Sequence, residues 1–460
     1  MLKGLEISEV RLRDVLNDNP SERIDAEYFL KRYLQFSSKI DIKHWNRFES
    51  VAEIKGGKRL PLGEDFSQEG TPYIRAEDVK NGFVEYENAP LISYQTHEKI
   101  KQYQTGLDDV LLTNVGNSIG DVGIVKFDIP ICNLTENCVR AVCKGIAPDY
   151  LFAFLRSKYG QLQIERERVG TAQPKLAIER IRRFYIACLS KRFQCGISNI
   201  IIDAHGKSEL SKRIYHEAEQ SLLSELGFDG WTPVEESVSV KNCSDFMSAG
   251  RFDAEYFQPK YDEIVAKIKT YLGGTIKAAS VLVTGLVNES EDTPERYVEL
   301  ADIGVSGEIA GCTDAMFGGL PSRARQRMAT GQVIASSIEG SLDRCALVTP
   351  EYDKALCSTG FHRFSSQDIN PETMLLLFKS WPIQQLMKRG CSGTILCGIL
   401  SAALEHVDLP VVNPQVQKVL AAKVRESFAL RAESKRLLDL AKRAVEVAIE
   451  QGEETAIAML

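Results

Sequence analysis

One design occurs twice in this 460-residue chain, a little over two hundred residues apart. Arg23-Ile24-Asp25-Ala26-Glu27-Tyr28-Phe29 returns as Arg251-Phe252-Asp253-Ala254-Glu255-Tyr256-Phe257; Ser211-Lys212-Arg213 returns as Ser434-Lys435-Arg436; Ile146-Ala147-Pro148 is echoed by Ile369-Asn370-Pro371. The offsets are 228, 223 and 223 residues. Chance matches would not keep one offset over most of each half, so the chain is read as a tandem duplication of a whole domain and its appendage. Duplicated units dock by pseudo-twofold symmetry, which suits a target made of two parts.

Composition narrows the class. With 44% hydrophobic and 26% charged residues, the chain has the make-up of a soluble globular protein of several domains. Its longest weakly polar run, Thr394 to Leu404, is about half the roughly 20 residues a membrane span needs. The N-terminus carries Glu6 early and no apolar stretch, so no secretion signal is expected and the expected location is the cytoplasm. Eleven cysteines contain no C-x-x-C pair, and the nearest two are Cys138 and Cys143. Neither a metal site nor a disulfide framework is expected; these read as buried, reduced thiols.

A net charge of −7 speaks against a nucleic-acid partner, because phosphates are normally met by a basic surface. Distribution qualifies the sum: residues 1–228 hold 32 basic and 32 acidic side chains, whereas residues 229–460 hold 24 and 31. The stretch from Leu151 to Arg192 has ten Lys/Arg against three Asp/Glu and predicts a basic strip.

Each half reads in one order. An amphipathic segment around R-x-D-A-E-Y-F comes first, with Tyr256, Tyr261, Ile264, Val265 and Ile268 at helical spacing in the second copy. Short strands follow, separated by glycine-rich loops: around Thr71–Arg75, Asp109–Thr113 and Gly123–Val125, then Arg296–Glu299, Gln332–Ser336 and Ala346–Val348. Pro148 and Pro371 each open a short helix. A long helix closes each half, with Ile197, Ile201, Ala204, Ile214, Ala218, Leu222 and Leu226 as one apolar stripe and Val416, Leu420, Val424, Phe428, Leu438, Ala441, Val445 and Ala448 as the other. A one-sided stripe needs a cover, and the natural cover is the duplicate helix.

The expected fold class is α+β: two tandem α/β domains related by pseudo-twofold symmetry and joined by two long antiparallel coiled-coil helices. The expected boundaries are 1–192 and 229–413 for the domains, 193–228 and 414–452 for the helices, and 453–460 for a tail. A helix of some 35 residues spans roughly 50 Å, somewhat more than one ~34 Å turn of B-DNA, so the pair would act as a ruler between half-sites. The rival reading is that the helices merely extend each core.

Catalytic constellations are absent from the sequence. Gly56-Gly57-Lys58 lacks the preceding glycine and following hydroxyl of a phosphate-cradling loop. There is no N/D-P-P-Y/F element of amino-methyltransferases. Pro148-Asp149 with Glu165-Arg166-Glu167 lacks the lysine of a nuclease arrangement, and His44, His97, His205, His216, His362 and His406 are too scattered for a triad or zinc motif. His205 and His216 fall in the long helix, where solvated surface positions are expected.

Residues able to grip DNA cluster in loops. Asn114-Val115-Gly116-Asn117-Ser118-Ile119-Gly120 aligns with Ser337-Ile338-Glu339-Gly340-Ser341-Leu342-Asp343, followed by Arg344. Glycine permits close approach, and short amides and hydroxyls reach phosphates or base edges; an ordinary tight hairpin is the rival reading. A second set comprises Arg166, Arg168, Thr171, Gln173 and Lys175 in the first half and Lys388, Arg389, Ser392 and Thr394 in the second. Arginine holds guanine or phosphate bidentately and glutamine suits adenine; solvated loop charge is the alternative. Arg323, Arg325 and Arg327 would face one way on an extended strand, and with Lys58, Arg59 and Arg75 they are weaker phosphate candidates.

With these features together, the chain resembles the specificity subunit of type I restriction-modification enzymes over essentially its whole length. The residues that carry the resemblance are the two R-x-D-A-E-Y-F elements, the run from Gly70 to Val79, Gly170-Thr171-Ala172-Gln173-Pro174-Lys175-Leu176, the Leu409-Pro410 to Gln417 lead into the second long helix, and the paired S-K-R. The resemblance implies two target-recognition domains, each reading one half of a bipartite double-stranded DNA site. It implies helices that set the spacing and bind two modification subunits, no catalysis and no cofactor in this chain, and no membrane. S-adenosylmethionine would belong to the modification subunits, and ATP and Mg to partner subunits that include a restriction/translocase subunit. Two departures stand out: Ala187-Cys188-Leu189-Ser190 lacks the family's proline-rich turn, and Gly206 interrupts the first long helix. The alternatives are a protein-interaction scaffold built from a duplicated domain, and a stand-alone nuclease.

Overall fold

The structure is a computed structural model and describes residues 6, 8–17, 19, 21, 23–38, 40, 44–79, 82–126, 130–170, 173–234, 238–271, 273–279, 281–393 and 397–460. It divides into two compact units, Met1–Ser208 with Ala432–Leu460, and Glu209–Arg431. Each unit therefore combines residues of both repeats. Among the described residues no helix is long and apolar enough to cross a membrane.

In the first unit, strands β1 (Ala52–Gly56), β2 (Val110–Thr113), β3 (Val122–Ile124) and β4 (Cys138–Cys143) form an antiparallel sheet in the order β1-β4-β2-β3. Strand alternation divides its side chains between two cores. Val110 and Leu112 join Tyr150, Leu151 and Phe154 of the helix Pro148–Arg156, whereas Leu111 turns to Ile74 and Leu134 of a second, five-stranded layer. A strand buried on both faces reads as a continuous apolar run, as Val110-Leu111-Leu112 does.

The second unit repeats the plan with β5 (Val281–Val283), β6 (Val333–Ser336), β7 (Cys345–Leu347) and β8 (Phe361–Ser365), in the corresponding order β5-β8-β6-β7. Val333 and Ala335 face Leu375, Phe378 and their helix, and Ile334 faces Val298 and Cys357 of the second layer. Both helices open on proline at the first turn, and Asn370 caps the second through Thr373 N (2.8 Å).

The long helices span Lys191–Glu225 and Pro414–Gln451. The first runs without a break through Gly206, contrary to expectation: the glycine lowers helix propensity by about 1 kcal/mol, and packing on either side outweighs it. In the first unit the early turns of one helix bury Ile197, Ile201 and Ala204 against Ala441, Val445 and Ala448 from the late turns of the other. In the second unit Tyr215, Ala218 and Leu222 meet Leu420 and Val424 in the same head-to-tail sense. Each fully buried Leu or Ile contributes roughly 1.5–3 kcal/mol, so neither stripe is left to water.

The duplication extends to individual hydrogen bonds. Ser434 Oγ donates to Ala204 O (2.7 Å) in the first unit, and Ser211 Oγ donates to Ser427 O (2.8 Å) in the second. Gln194 accepts from Ala147 N (2.9 Å) and donates to Leu189 O (2.8 Å); its counterpart Gln417 accepts from Asn370 N (2.8 Å) and donates to Val412 O (2.8 Å). All these pairs keep the 223-residue offset. His205, expected to be solvated, instead lies edge-on to Phe83 (4.9 Å).

The cysteines are free, with only Cys195 and Cys243 exposed. Burial pushes the thiols of Cys132, Cys138, Cys143, Cys345, Cys357 and Cys391 up to about 12. A thiol reagent at pH 8 is expected to label Cys195 and Cys243 in the fast phase, read by peptide mass mapping. Gln194→Leu strands two backbone groups and Gln417→Leu three, because Gln417 also donates to Asp368 O (2.9 Å), and each is expected to lower unfolding free energy by about 1–3 kcal/mol in urea titration.

Candidate nucleic-acid interface

The two loop sets predicted separately are stitched together in each unit. In the first, Asn114 N donates to Asn137 O (2.9 Å), Leu176 N to Asn114 O (2.9 Å) and Gly116 N to Pro174 O (3.0 Å). In the second, Ser337 N donates to Gly360 O (2.9 Å), Ile399 N to Ser337 O (2.8 Å) and Glu339 N to Cys397 O (3.0 Å). Every partner lies 223 residues from its equivalent. The hairpin after β2 or β6 and the loop after the short helix Lys158–Glu167 or Trp381–Gly390 therefore form one platform. The platform's ladder is also repeated as isolated bridges, Val115 with Lys175 and Ile338 with Gly398. At Gly398 an added Cβ would lie 2.6 Å from Ser337 O, so this close approach requires glycine.

A further bracket ties each platform to the R-x-D-A-E-Y-F element. Arg23 donates to Arg166 O (2.6 Å) and Arg168 O (3.1 Å), while Asp25 holds Arg23 (2.6 Å) and caps Tyr28 N (3.2 Å). Arg251 donates likewise to Arg389 O (3.1 Å) and Cys391 O (2.7 Å), with Asp253 capping Tyr256 N (3.0 Å). Arg166 returns the contact through Tyr28 O (3.0 Å) and the Tyr28 ring (4.1 Å), and Arg389 through Tyr256 O (3.1 Å) and Asp262 (2.9 Å). The guanidinium groups of Arg166 and Arg389 thus hold the frame, which corrects their reading as outward grips.

The basic strip is also corrected. Arg156 lies over Phe152 (5.2 Å) and its pKa is lowered by burial; Arg180 meets Glu167 (3.5 Å), Lys158 meets Glu450 (2.5 Å), Lys191 meets Gly145 O (2.6 Å) and Arg192 meets Glu454 (3.6 Å). Of its ten cations, Arg168 and Lys175 alone have no side-chain partner among the described residues, and both are exposed on the platform. Gln173 and Asn117 are exposed beside them, and Ser118 is half-buried in the hairpin. Asn114 is buried at the base, donating to Leu176 O (3.3 Å) with its Oδ1 unpaired among the described residues. Thr171 and Thr394 lie outside the described residues.

Lys58 and Arg59 follow β1 and reach the same corner: Lys58 N donates to Leu134 O (2.8 Å) and Arg59 pairs with Glu136 (2.5 Å), beside Asn137. This turn, Thr135 to Asn137, was not singled out from sequence, although its polar residues between two apolar strands signal a bend; Thr135 is buried and Glu136 and Asn137 are half-buried. Arg75 instead pairs with Glu77 (2.5 Å) and Asp78 (3.3 Å), and burial outweighs these bonds to raise the Asp78 pKa.

In the second unit the arginine row is not the regular strand that would point all three side chains one way, because a β-bulge between Ala324 and Gln326 shifts its register. Arg323 binds Glu299 (2.7 Å), Arg325 binds Asn288 (3.1 Å), and Arg327 binds Glu295 (2.6 Å) and Glu289 (3.0 Å). Arg344 donates to Ile303 O (2.8 Å), Lys388 pairs with Glu255 (3.6 Å), Ser337 donates to Gly360 O (2.9 Å), and Ser341 meets Ser336 Oγ (3.0 Å). Ser392 is exposed in the short hairpin strand Cys391–Ser392. No group of His, Cys, Asp and Glu suited to a metal ion occurs among the described residues.

Residues 43–220, which hold the first platform and most of the first long helix, match the Type I restriction modification DNA specificity domain. The first repeat therefore carries a DNA specificity domain of the type I restriction-modification class. A specificity subunit is the non-catalytic, recognition component of such a system. Among solved structures, the chain is similar to the S subunit of a type I system from M. genitalium (14% identity, 92% of this chain and 98% of that one, TM-score 0.36). It is also similar to the HsdS subunit from Thermoanaerobacter tengcongensis (12% identity, 89% and 96%, TM-score 0.29). A comparison with curated proteins gives no match.

Two outcomes are expected here. Arg166→Ala should lower unfolding free energy by about 1–3 kcal/mol, whereas Lys175→Ala should leave the urea midpoint unchanged and weaken DNA binding, measured on the same preparations. His362 bonds Ile399 O (2.9 Å) and burial lowers its pKa. The unfolded chain then binds more protons below the ordinary histidine value of ~6.5, so this contribution is present above that pH and is lost as pH falls. His362→Gln should flatten that part of the stability–pH curve.

Proposed function

We propose that this specificity subunit reads a bipartite double-stranded DNA site, one part with each repeat's platform. The observation that carries the reading is the pair of platforms: one backbone scaffold, hydrogen bond for hydrogen bond, displaying different side chains. Backbone identity fixes how a loop is presented, and side-chain difference lets the two copies read different bases. The long helices, to which both repeats contribute, fix the gap between the two parts and present docking surface to two modification subunits. Those subunits hold S-adenosylmethionine, and a restriction/translocase subunit supplies ATP- and Mg-dependent steps.

Of the first-unit candidates, Asn117, Gln173, Arg168, Lys175 and Lys58 are the residues free to meet DNA. Selection from a randomised DNA pool by the subunit assembled with its modification subunits should enrich two short motifs with a fixed gap. Changing Asn117 and Gln173 together should alter one motif and leave the other and the gap unchanged. Enrichment of a single continuous motif, or of none, would refute the reading.

A further inference from the structure

Resting on that proposed DNA reading, we infer that the two repeats divide the work of binding: phosphate anchoring falls on the first, and the second reads its part of the site with little electrostatic grip. The first unit offers three exposed cations with no side-chain partner among the described residues, Lys58, Arg168 and Lys175. The duplication identifies what replaces them. Lys55 faces Arg140 across the first sheet as Val283 faces Arg363 across the second, which places Leu286 at the position of Lys58. Cys391 and Gly398 stand at the positions of Arg168 and Lys175. All three anchors are therefore uncharged in the second repeat.

The cations that the second unit does own near these loops are already engaged. Arg323, Arg327, Lys388 and Arg389 are each paired with a carboxylate, Arg325 with Asn288 and Ser322 O, and Arg344 with Ile303 O. A guanidinium paired with a carboxylate brings no net charge to a phosphate. Transferring it leaves an anion beside the DNA, so it releases little of the counterion atmosphere on which affinity depends. Leu286 is instead 71% exposed where the first repeat has lysine.

The test is the salt dependence of DNA affinity for the full-length subunit assembled with its modification subunits. Each of Lys58→Gln, Arg168→Gln and Lys175→Gln should reduce the slope of log affinity against log salt by about 0.9. Arg323→Gln and Lys388→Gln, both surface changes, should each reduce it by less than a third of that. Leu286→Lys should add about 0.9, and Glu289→Gln, which frees one partner of Arg327, should steepen the slope. Equal losses from the two groups of variants, or no gain from Leu286→Lys, would overturn this division of labour while leaving bipartite recognition intact. Absence of any two-part motif in the unmodified complex would remove the underlying DNA reading instead.

Discussion

Neither long helix can be covered by the repeat to which it belongs. The stripe of Ile197, Ile201 and Ala204 is closed by turns from the end of the chain, and Leu420 and Val424 are closed by turns from its middle. Each compact unit is consequently finished with residues from the other copy, and the two buried serine contacts, Ser434 to Ala204 and Ser211 to Ser427, set the register in which this happens. A one-residue slip would move every stripe residue by about 100° and expose the apolar face. The glutamines at 194 and 417 transmit that register to the sheets, since each joins a long helix to the residue that precedes a short one.

Upon this frame the platforms are attached by main-chain bonds. That matters for recognition, because a loop held by its own amides leaves its side chains available, whereas a loop held by side chains does not. The arginines at 166 and 389 illustrate the opposite case: each sits in the last turn of a short helix that leads into the platform, and both are consumed in holding the R-x-D-A-E-Y-F element. Their neighbours Arg168 and Lys175 are free because the ladder beside them is satisfied without them.

Much of the architecture was legible in the sequence for a simple reason. The 223-residue offset, the alternating apolar strands, Pro148 and Pro371 as helix openers and the two long stripes are local signals, and the structure honours each. What was not legible depended on partners distant in sequence. Nothing near Arg327 in the chain announces Glu289 or Glu295, nothing near His205 announces Phe83, and the bulge at Ala324 to Gln326 breaks an alternation that the residues alone suggest. Gly206 shows the converse: a local signal for interruption was overridden by packing. Net charge was similarly a poor guide, since the basic stretch from 151 to 192 is mostly neutralised within the fold.

The swap of a glycine for a lysine at one rung of an otherwise shared ladder, Gly398 against Lys175, has an evolutionary consequence. Where the main chain of the second copy runs within reach of a neighbouring carbonyl, no larger side chain fits, so this rung is closed to mutation in one copy and open in the other. After duplication the twins could not drift with equal freedom: one retained a site where new reach towards a ligand can be tried, and the other spent that freedom on a tighter backbone.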